Sequence, residues 1–520
     1  MSKMLGQMGL VSAMTMLSRV FGLFRDMLIT AVFGTSLLNS AFTAAFTLPS
    51  LFRRLLGEGA LAAALMPNLS EEMESKGREA VFQLVNKTLS WLLLICVGLA
   101  LCAYGIFDRL ESVSTEENRV VGARLAKLLF PYIIPVCMAA IVSAVLNMLG
   151  RFGIPAMTAI WLNCSMMLFL GAGGWWLAES QEQKMLFLCL GVLVGGLLQF
   201  VVPSIALAKE GWKPRFDFAV SGRLRAVLLL TLPGIFGAAS YQLNVVVSRL
   251  LALEFNDSGA TLIYLANRLV ELPLGIFTIA IATVVFPAMS RSIARGDDGC
   301  YGETCLKGIS LSMMLTIPAA LGLIVLAPEI IAALFERGAF DASDTQALVP
   351  ILMICAAGMP FYGFVSIETR ALYAIKDART PVRGSAIGLV VNIILSITLL
   401  KLLNRIEGLV IASNTATIVQ AVYMHRTLAS RGREVRLQSI APALAKYIGG
   451  SLLMLLILLA VKAGLSWTGG LGQSPLTVLA VSVTLGASFY LAFLKWLKMD
   501  EMNAVLDALL KREREKEQNK

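Results

Sequence analysis

Long apolar stretches follow one another along almost the whole chain. Fourteen can be marked, with approximate cores at 8–33, 37–66, 83–107, 121–148, 154–178, 184–208, 225–251, 261–289, 305–327, 345–373, 384–402, 407–425, 443–463 and 476–497. A helix of about 20 apolar residues crosses a hydrocarbon core of about 30 Å, and inside that core every backbone polar group must be satisfied within the protein. The chain therefore reads as an all-α polytopic membrane protein. Of its 520 residues 57% are hydrophobic and 15% charged, against about 25% charged in soluble domains.

The net charge of +10 invites a nucleic-acid reading, but the surplus falls in alternate loops. One set carries Lys76 and Arg78, Arg151, Lys209 to Arg225, Arg291 to Lys307, Lys376 to Arg383, and Arg426 to Arg436. The intervening loops, such as Glu179–Glu182 and Asp341–Asp344, are short and neutral or acidic. The positive-inside rule places the basic set in the cytoplasm, with both termini, and no nucleic-acid partner is expected. The first stretch holds Arg19, Arg25 and Asp26 in its interior, unlike the short apolar core of a cleavable signal. The tail Asp500–Arg514 reads as an amphipathic helix on the inner leaflet. Cysteines sit mostly inside spans, with no CxxC, and Cys300 and Cys305 are assigned to a cytoplasmic loop. Structural disulfides and zinc are not expected. The single histidine, His425, leaves little room for a histidine metal site or proton relay.

A faint repeat runs through the chain. Leu65-Met66-Pro67 closes the second span and Val285-Phe286-Pro287 the eighth; Leu146, Leu149 and Pro155 recur in spacing as Leu372, Ile375 and Pro381. Both matches are six spans apart, so the copies point the same way. Parallel repeats about an axis along the membrane normal are a transporter architecture. The expected organisation is an N-lobe over 1–208, a C-lobe over 209–428, an appended helix pair over 429–498 and a cytoplasmic tail over 499–520.

Five arginines lie inside these stretches: Arg19, Arg25, Arg53, Arg54 and Arg268. A charge at the bilayer centre costs roughly 2.5–3.5 kcal/mol on insertion scales, so five facing lipid would cost roughly 12–18 kcal/mol. They must face protein, water or an anion. If the second span broke at Arg53 and Arg54, the remaining 55–66 would make only about 18 Å of helix, too short to cross. One span with two central arginines fits better, bending near Pro49, Gly57 and Gly59. Internal pairing is the plainest reading: Arg19 or Arg25 with Asp26, Arg54 with Glu58, Arg268 with Glu271. Three acids do not silence five arginines, however, and an anion is the natural partner for the remainder. The guanidinium fork suits phosphate, although residue type alone leaves a carboxylate open. Ser18 shares a helical face with Arg25 and reads as a packing or hydrogen-bonding group. No phosphate-binding G-x-x-x-x-G-K-[ST] loop occurs, and no nucleophile–base or metal-ligand motif is visible.

Several motifs resemble those of the MurJ (MviN) lipid II flippases: Ser18-Arg19-Val20-Phe21-Gly22-Leu23-Phe24-Arg25-Asp26, then Leu48-Pro49-Ser50-Leu51-Phe52-Arg53-Arg54 with Glu58-Gly59-Ala60, and Asn267-Arg268-Leu269-Val270-Glu271-Leu272-Pro273. Leu334-Phe335-Glu336-Arg337-Gly338-Ala339-Phe340 and Asp377-Ala378-Arg379-Thr380-Pro381-Val382 continue the match in order. The resemblance implies the fold of the multidrug/oligosaccharidyl-lipid/polysaccharide exporter superfamily: two six-helix lobes related by a pseudo-two-fold axis along the membrane normal, with two extra C-terminal helices. It implies alternating access carrying lipid II from the cytoplasmic to the periplasmic leaflet of a bacterial inner membrane, for cell-wall synthesis. The diphosphate would meet Arg19, Arg25, Arg53 and Arg268, supported by Ser18, Asp26, Arg54, Glu58 and Glu271. Such a protein is a transporter rather than an enzyme. It needs no cofactor, draws on membrane potential or an ion gradient, and acts as a monomer among membrane lipids and cell-wall synthesis proteins. The alternatives are a flippase for another polyprenyl-diphosphate oligosaccharide and a multidrug antiporter of the same superfamily. The chain departs from the family pattern at Thr47, where Lys is frequent, at Ser50, where Asn is, and at Asn267, where Asp is.

Overall fold

The computed structural model describes residues 2–55, 60–431, 435–467 and 474–499. Each of the fourteen apolar stretches is helical over nearly all of its described length, and nine helical stretches among the described residues are long and apolar enough to cross a membrane. Glu58, Gly57, Gly59 and the tail helix expected over 500–514 fall outside the described residues.

The chain groups into two compact units, Met1–Thr261 with Arg337–Phe340, and Leu262–Glu336 with Asp341–Lys520. The expected lobes, 1–208 and 209–428, follow the repeat, whereas this grouping follows packing, which joins 222–255 to the first unit.

The first unit contains α1 (Ser2–Phe33), α2 (Leu37–Phe52), α3 (Ala60–Lys76), α4 (Arg78–Val113), α5 (Glu117–Leu129), α6 (Ile133–Met148), the short α7 (Gly153–Ala156), α8 (Thr158–Leu168), α9 (Gly174–Trp176), α10 (Gln181–Lys209) and α11 (Gly222–Phe255). Ser36 caps α2 by accepting from Asn39 N–H. Instead of continuing as one regular helix, α2 leaves α geometry at Phe52, and 53–55 form a π turn. Such turns widen the helix and recur at functional sites; this one holds Arg53 and Arg54. Helix α3 runs on past Pro67 to Lys76, so the proline does not end the second span. Buried amides and hydroxyls join α10 to its neighbours: Tyr132 Oη donates to Gln199 Oε1 at 2.8 Å, Gln199 Nε2 to the Thr158 carbonyl at 3.1 Å, and Ser165 Oγ to the Gly191 carbonyl at 2.8 Å. On the basic side, Arg223 of α11 forks onto Glu71 at 2.5 and 2.6 Å. The segment 337–340 completes this unit, with Ala339 N–H donating to the Ala31 carbonyl at 2.8 Å. Gly338 has φ +63°, and a Cβ there would collide with that same carbonyl.

The second unit contains nearly all of α12 (Gly259–Ala294), with α13 (Asp298–Val325), α14 (Ala327–Phe335), α15 (Ala342–Ala357), α16 (Met359–Ala374), α17 (Arg379–Leu403), α18 (Glu407–Ser430), α19 (Ala441–Trp467) and α20 (Pro475–Trp496). Three buried tyrosines fasten α13 to its neighbours. Tyr301 donates to the Ala371 carbonyl of α16 at 2.9 Å, Tyr447 of α19 meets Ser310 at 2.9 Å, and Tyr490 of α20 donates to the Met314 carbonyl at 2.8 Å. The appended helix pair is thus tied to the unit by polar bonds within an apolar core. Cys300 and Cys305, expected in a loop, are on α13, and Cys305 is fully buried. The helix starts earlier than apolarity suggests because Asp297 caps it, accepting from Cys300 N–H at 2.9 Å.

The lone histidine is not idle at the membrane edge. His425 Nδ1 lies 2.7 Å from Oε1 of Glu368, whose side chain is 0% exposed. Removing the imidazole leaves a buried carboxyl oxygen without its hydrogen-bond partner, which costs about 1–3 kcal/mol. His425→Ala is expected to lower the unfolding free energy of the detergent-purified protein by about that amount, and Glu368→Gln in the His425→Ala background to restore part of it. Denaturant unfolding of both variants reads this directly.

Asp377, in the turn before α17, accepts from Arg379 N–H, from Thr380 N–H and Oγ1, and pairs with Arg431 at 2.8 Å. Burial alone raises its carboxyl pKa, but the Thr380 bonds, the Arg431 charge and the Arg379 N–H outweigh it and hold the group below the ordinary 3.8. A depressed carboxylate stabilises the fold above its unfolded pKa, and that stabilisation disappears as pH falls through the folded value. Melting temperature should therefore drop below about pH 4, and Asp377→Asn should flatten that acid limb.

Candidate functional site

Helix α1 carries Arg19 and Arg25, both partly buried, and α2 with its π turn carries Arg53 and Arg54. Over 13–55 these four face one acid, Asp26. Asp26 is 2% exposed, and its partner is Arg25: Nε and Nη2 reach Asp26 Oδ1 at 3.0 and 2.6 Å. Internal pairing, the plain reading from sequence, thus holds for Arg25. The same guanidinium donates from Nη1 to Asn163 Oδ1 of α8 at 3.0 Å, while Asn163 Nδ2 reaches the Ser18 carbonyl at 3.4 Å. Asn163 therefore fixes both the arginine and the turn of α1 that bears Ser18. Ser18 takes part in this bond through its backbone carbonyl, not its side chain.

Arg54 is exposed and donates from Nη1 to Gln242 Oε1 of α11 at 3.4 Å. The expected partner, Glu58, is outside the described residues. Arg268 is half-buried on α12, in the second unit, with Glu271 exposed one turn further on. Asn267 accepts from Cys355 Sγ at 3.9 Å. Four of the five arginines thus belong to one unit, on two helices, and the fifth to the other.

Sequence reasoning missed two intramembrane arginines. Arg249 of α11 donates from Nη1 to Thr47 Oγ1. Arg370 of α16 bonds back to Ser366, its Nη1 meeting both the carbonyl at 2.7 Å and the hydroxyl. Both fall near the ends of the apolar stretches 225–251 and 345–373, where a cation passes for a flanking charge. Asn163 gave no warning, because one amide in an apolar run is usually a helix contact.

The fold around these arginines is that of a two-lobe, all-α membrane transporter. An inward-facing multidrug transporter of the MATE family superposes with TM-score 0.63 over 82% of this chain and 99% of its own, at 12% identity. A lipid II flippase MurJ structure in an inward closed conformation matches more fully: TM-score 0.75, 25% identity, 94% of this chain and 100% of the other. The family model "Lipid II flippase MurJ" matches residues 29–491. Proteins described as probable lipid II flippase MurJ from Bdellovibrio bacteriovorus and Vibrio cholerae are each 30% identical, covering 93% of this chain and 92% and 94% of theirs. The chain belongs to the MurJ lipid II flippase family.

Arg25→Ala alone leaves a buried carboxylate behind and is expected to destabilise by about 3–5 kcal/mol. Adding Asp26→Asn should recover most of that stability. If the double variant folds as the parent does and still transports normally, Arg25 serves only as the partner of Asp26.

Proposed function

We propose that this chain flips lipid II, an undecaprenyl-diphosphate glycolipid, from the cytoplasmic to the periplasmic leaflet of a bacterial inner membrane. The observation that supports the reading is that the family match, over residues 29–491, takes in Arg53, Arg54 and Arg268, while the motif at 18–26, just ahead of it, adds Arg19 and Arg25. The diphosphate is the group these arginines suit, since each guanidinium can present two parallel N–H donors to phosphate oxygens. Ser18, Asp26, Arg54, Glu58 and Glu271 act in support, with Asp26 holding Arg25 in place until the anion arrives.

In this reading the repeat 1–208 and 209–428 supplies two lobes that alternate between openings, and 429–498 adds a helix pair beside them. Anion binding offsets repulsion among the arginines and favours closure. The glycan headgroup crosses inside the protein while the isoprenoid chain stays in lipid. Release on the far side leaves the arginines to reset. Membrane potential contributes about 2.3 kcal/mol per charge per 100 mV if a charge crosses the full field; an ion gradient is the other possible drive. Both termini face the cytoplasm, a monomer suffices, and no bond in the substrate is made or broken.

The test is replacement of the chromosomal flippase in a depletion strain. The wild-type chain should support growth and lipid II translocation. Arg53→Ala should abolish both, and Arg53→Lys should restore less than half of the rate, because a point charge lacks the bidentate fork. Normal growth and translocation with Arg53→Ala would sink the arginine mechanism. Rescue of a strain lacking a different polyprenyl-diphosphate glycan flippase, without rescue here, would point to the sibling substrate.

A further inference from the structure

Helices α17 and α18 are antiparallel neighbours, and close approaches at three glycines fix their register. Gly384 lies against Met424 and Tyr423, Gly388 against Gln420, and Gly408 against Leu399. Away from that seam the pair is apolar and open: Val390 and Ile394 are 56% and 58% exposed, and Val422 is 44% exposed. A broad exposed apolar face on such a chain is a surface for hydrocarbon. A cavity of about 460 Å³ opens between the two helices, with Ile387 on one wall and Val419, Val422, Tyr423 and Arg426 on the other. Ligand pockets run from about 300 to 1,000 Å³.

The cavity is apolar along most of its length and cationic at one end. Val419, Val422, Tyr423 and Arg426 form one stripe of α18, which runs out at the basic end of the helix. On α17, Arg383 precedes Ile387 by one turn, on the same stripe. The contact of Gly384 with Met424 sets Arg383 level with the turn that carries Arg426. Both arginines are exposed, and among the described residues neither side chain has a hydrogen-bond or ion-pair partner. From Arg379 to Ser430 the only acid is Glu407, at the opposite end of the pair. The acids nearer by are committed, Asp377 to Arg431 and Glu368 to His425. Thr427 and Ser430, also at this end of the cavity, donate their hydroxyls to the Tyr423 and Thr427 carbonyls at 2.8 and 2.9 Å. Those protons are spent inside α18, and the two guanidiniums stand without a counter-charge.

We propose that the groove between α17 and α18 binds an anionic glycerophospholipid, with the phosphate on Arg383 and Arg426 and an acyl chain along Ile387, Val419 and Val422. Basic pockets between membrane helices are headgroup sites, and the guanidinium fork suits a phosphodiester. A soluble anion is the poorer occupant, because it would leave the apolar walls uncovered. The groove belongs to the second unit, whereas Arg19, Arg25, Arg53 and Arg54 belong to the first. Its occupancy does not depend on what the chain transports. A lipid seated there ties α17 to α18 and stabilises the folded chain by mass action.

The experiment titrates delipidated, detergent-purified full-length protein with dioleoyl phosphatidylglycerol and, separately, with dioleoyl phosphatidylethanolamine. Native mass spectrometry reads lipid adducts and oligomeric state, and melting temperature reads folding. Each arginine should contribute about fivefold to phosphatidylglycerol binding, so Arg383→Gln with Arg426→Gln should weaken it about thirtyfold. Both positions are exposed, and without lipid the double variant should melt as the parent does. Val422→Trp, which fills the groove and keeps both charges, should also lose binding. Arg295→Gln, at an exposed basic site just beyond α12, should bind as the parent does. Parent-like binding by the folded double variant overturns the proposal, as does parent-like binding by Val422→Trp. Equal binding of phosphatidylethanolamine, or an equal loss in Arg295→Gln, overturns it by reducing the effect to general surface attraction. A dimer that Val422→Trp dissolves, with no lipid adduct, overturns it by assigning the groove to a second copy of the chain. Failure of lipid II transport would sink the flippase reading and leave each of these outcomes as informative as before.

Discussion

Hydrocarbon offers no hydrogen-bond partner, so a polar group at membrane depth must turn to the protein, to water or to a bound ligand. That constraint explains why the informative contacts are between helices far apart in sequence. Arg25 is neutralised by its neighbour Asp26 but oriented by Asn163, 138 residues on. Glu368, with no exposure, is matched by the only imidazole in the chain. Tyr301 reaches from α13 to Ala371 of α16, while Tyr447 and Tyr490 place their hydroxyls on Ser310 and Met314 of α13. Apolar packing brings these helices together without strong preference for rotation; the polar contacts select the rotation.

The same logic separates holding a charge from using it. Asp26 and Asn163 hold Arg25 in one geometry, so an anion bound as we propose would meet a guanidinium already ordered. Preorganisation of this kind reduces the entropy lost on binding. The π turn at 53–55 achieves a related end by backbone means, breaking the regular helix where two adjacent arginines must be displayed.

Much of the architecture was legible in the sequence. Hydropathy accumulates residue by residue, so fourteen apolar stretches could be marked, and each lies on helix. The motifs around Arg19, Arg25, Arg53 and Arg268 led to the family. What was not legible depends on helix rotation and register. Nothing local to Thr47 announces Arg249, 202 residues away, and nothing near His425 announces Glu368, 57 residues earlier. Cys305 read as loop because its helix begins with polar residues under an aspartate cap. The compact first unit takes in α11, beyond the boundary expected from the repeat, because α11 packs on α2 and α3.

The segment 337–340 carries a consequence for biogenesis. It belongs to the first unit but is encoded after α12, α13 and α14. The first unit therefore lacks its last piece until about 80 further residues have been made, roughly 4–16 s at bacterial-to-eukaryotic elongation rates of about 5–20 residues per second. During that interval the Ala31 carbonyl at the end of α1 waits for the Ala339 N–H. A ribosomal pause in this window, or a chaperone that shields the end of α1, would act on the helix that carries Arg19 and Arg25 before its final contact exists.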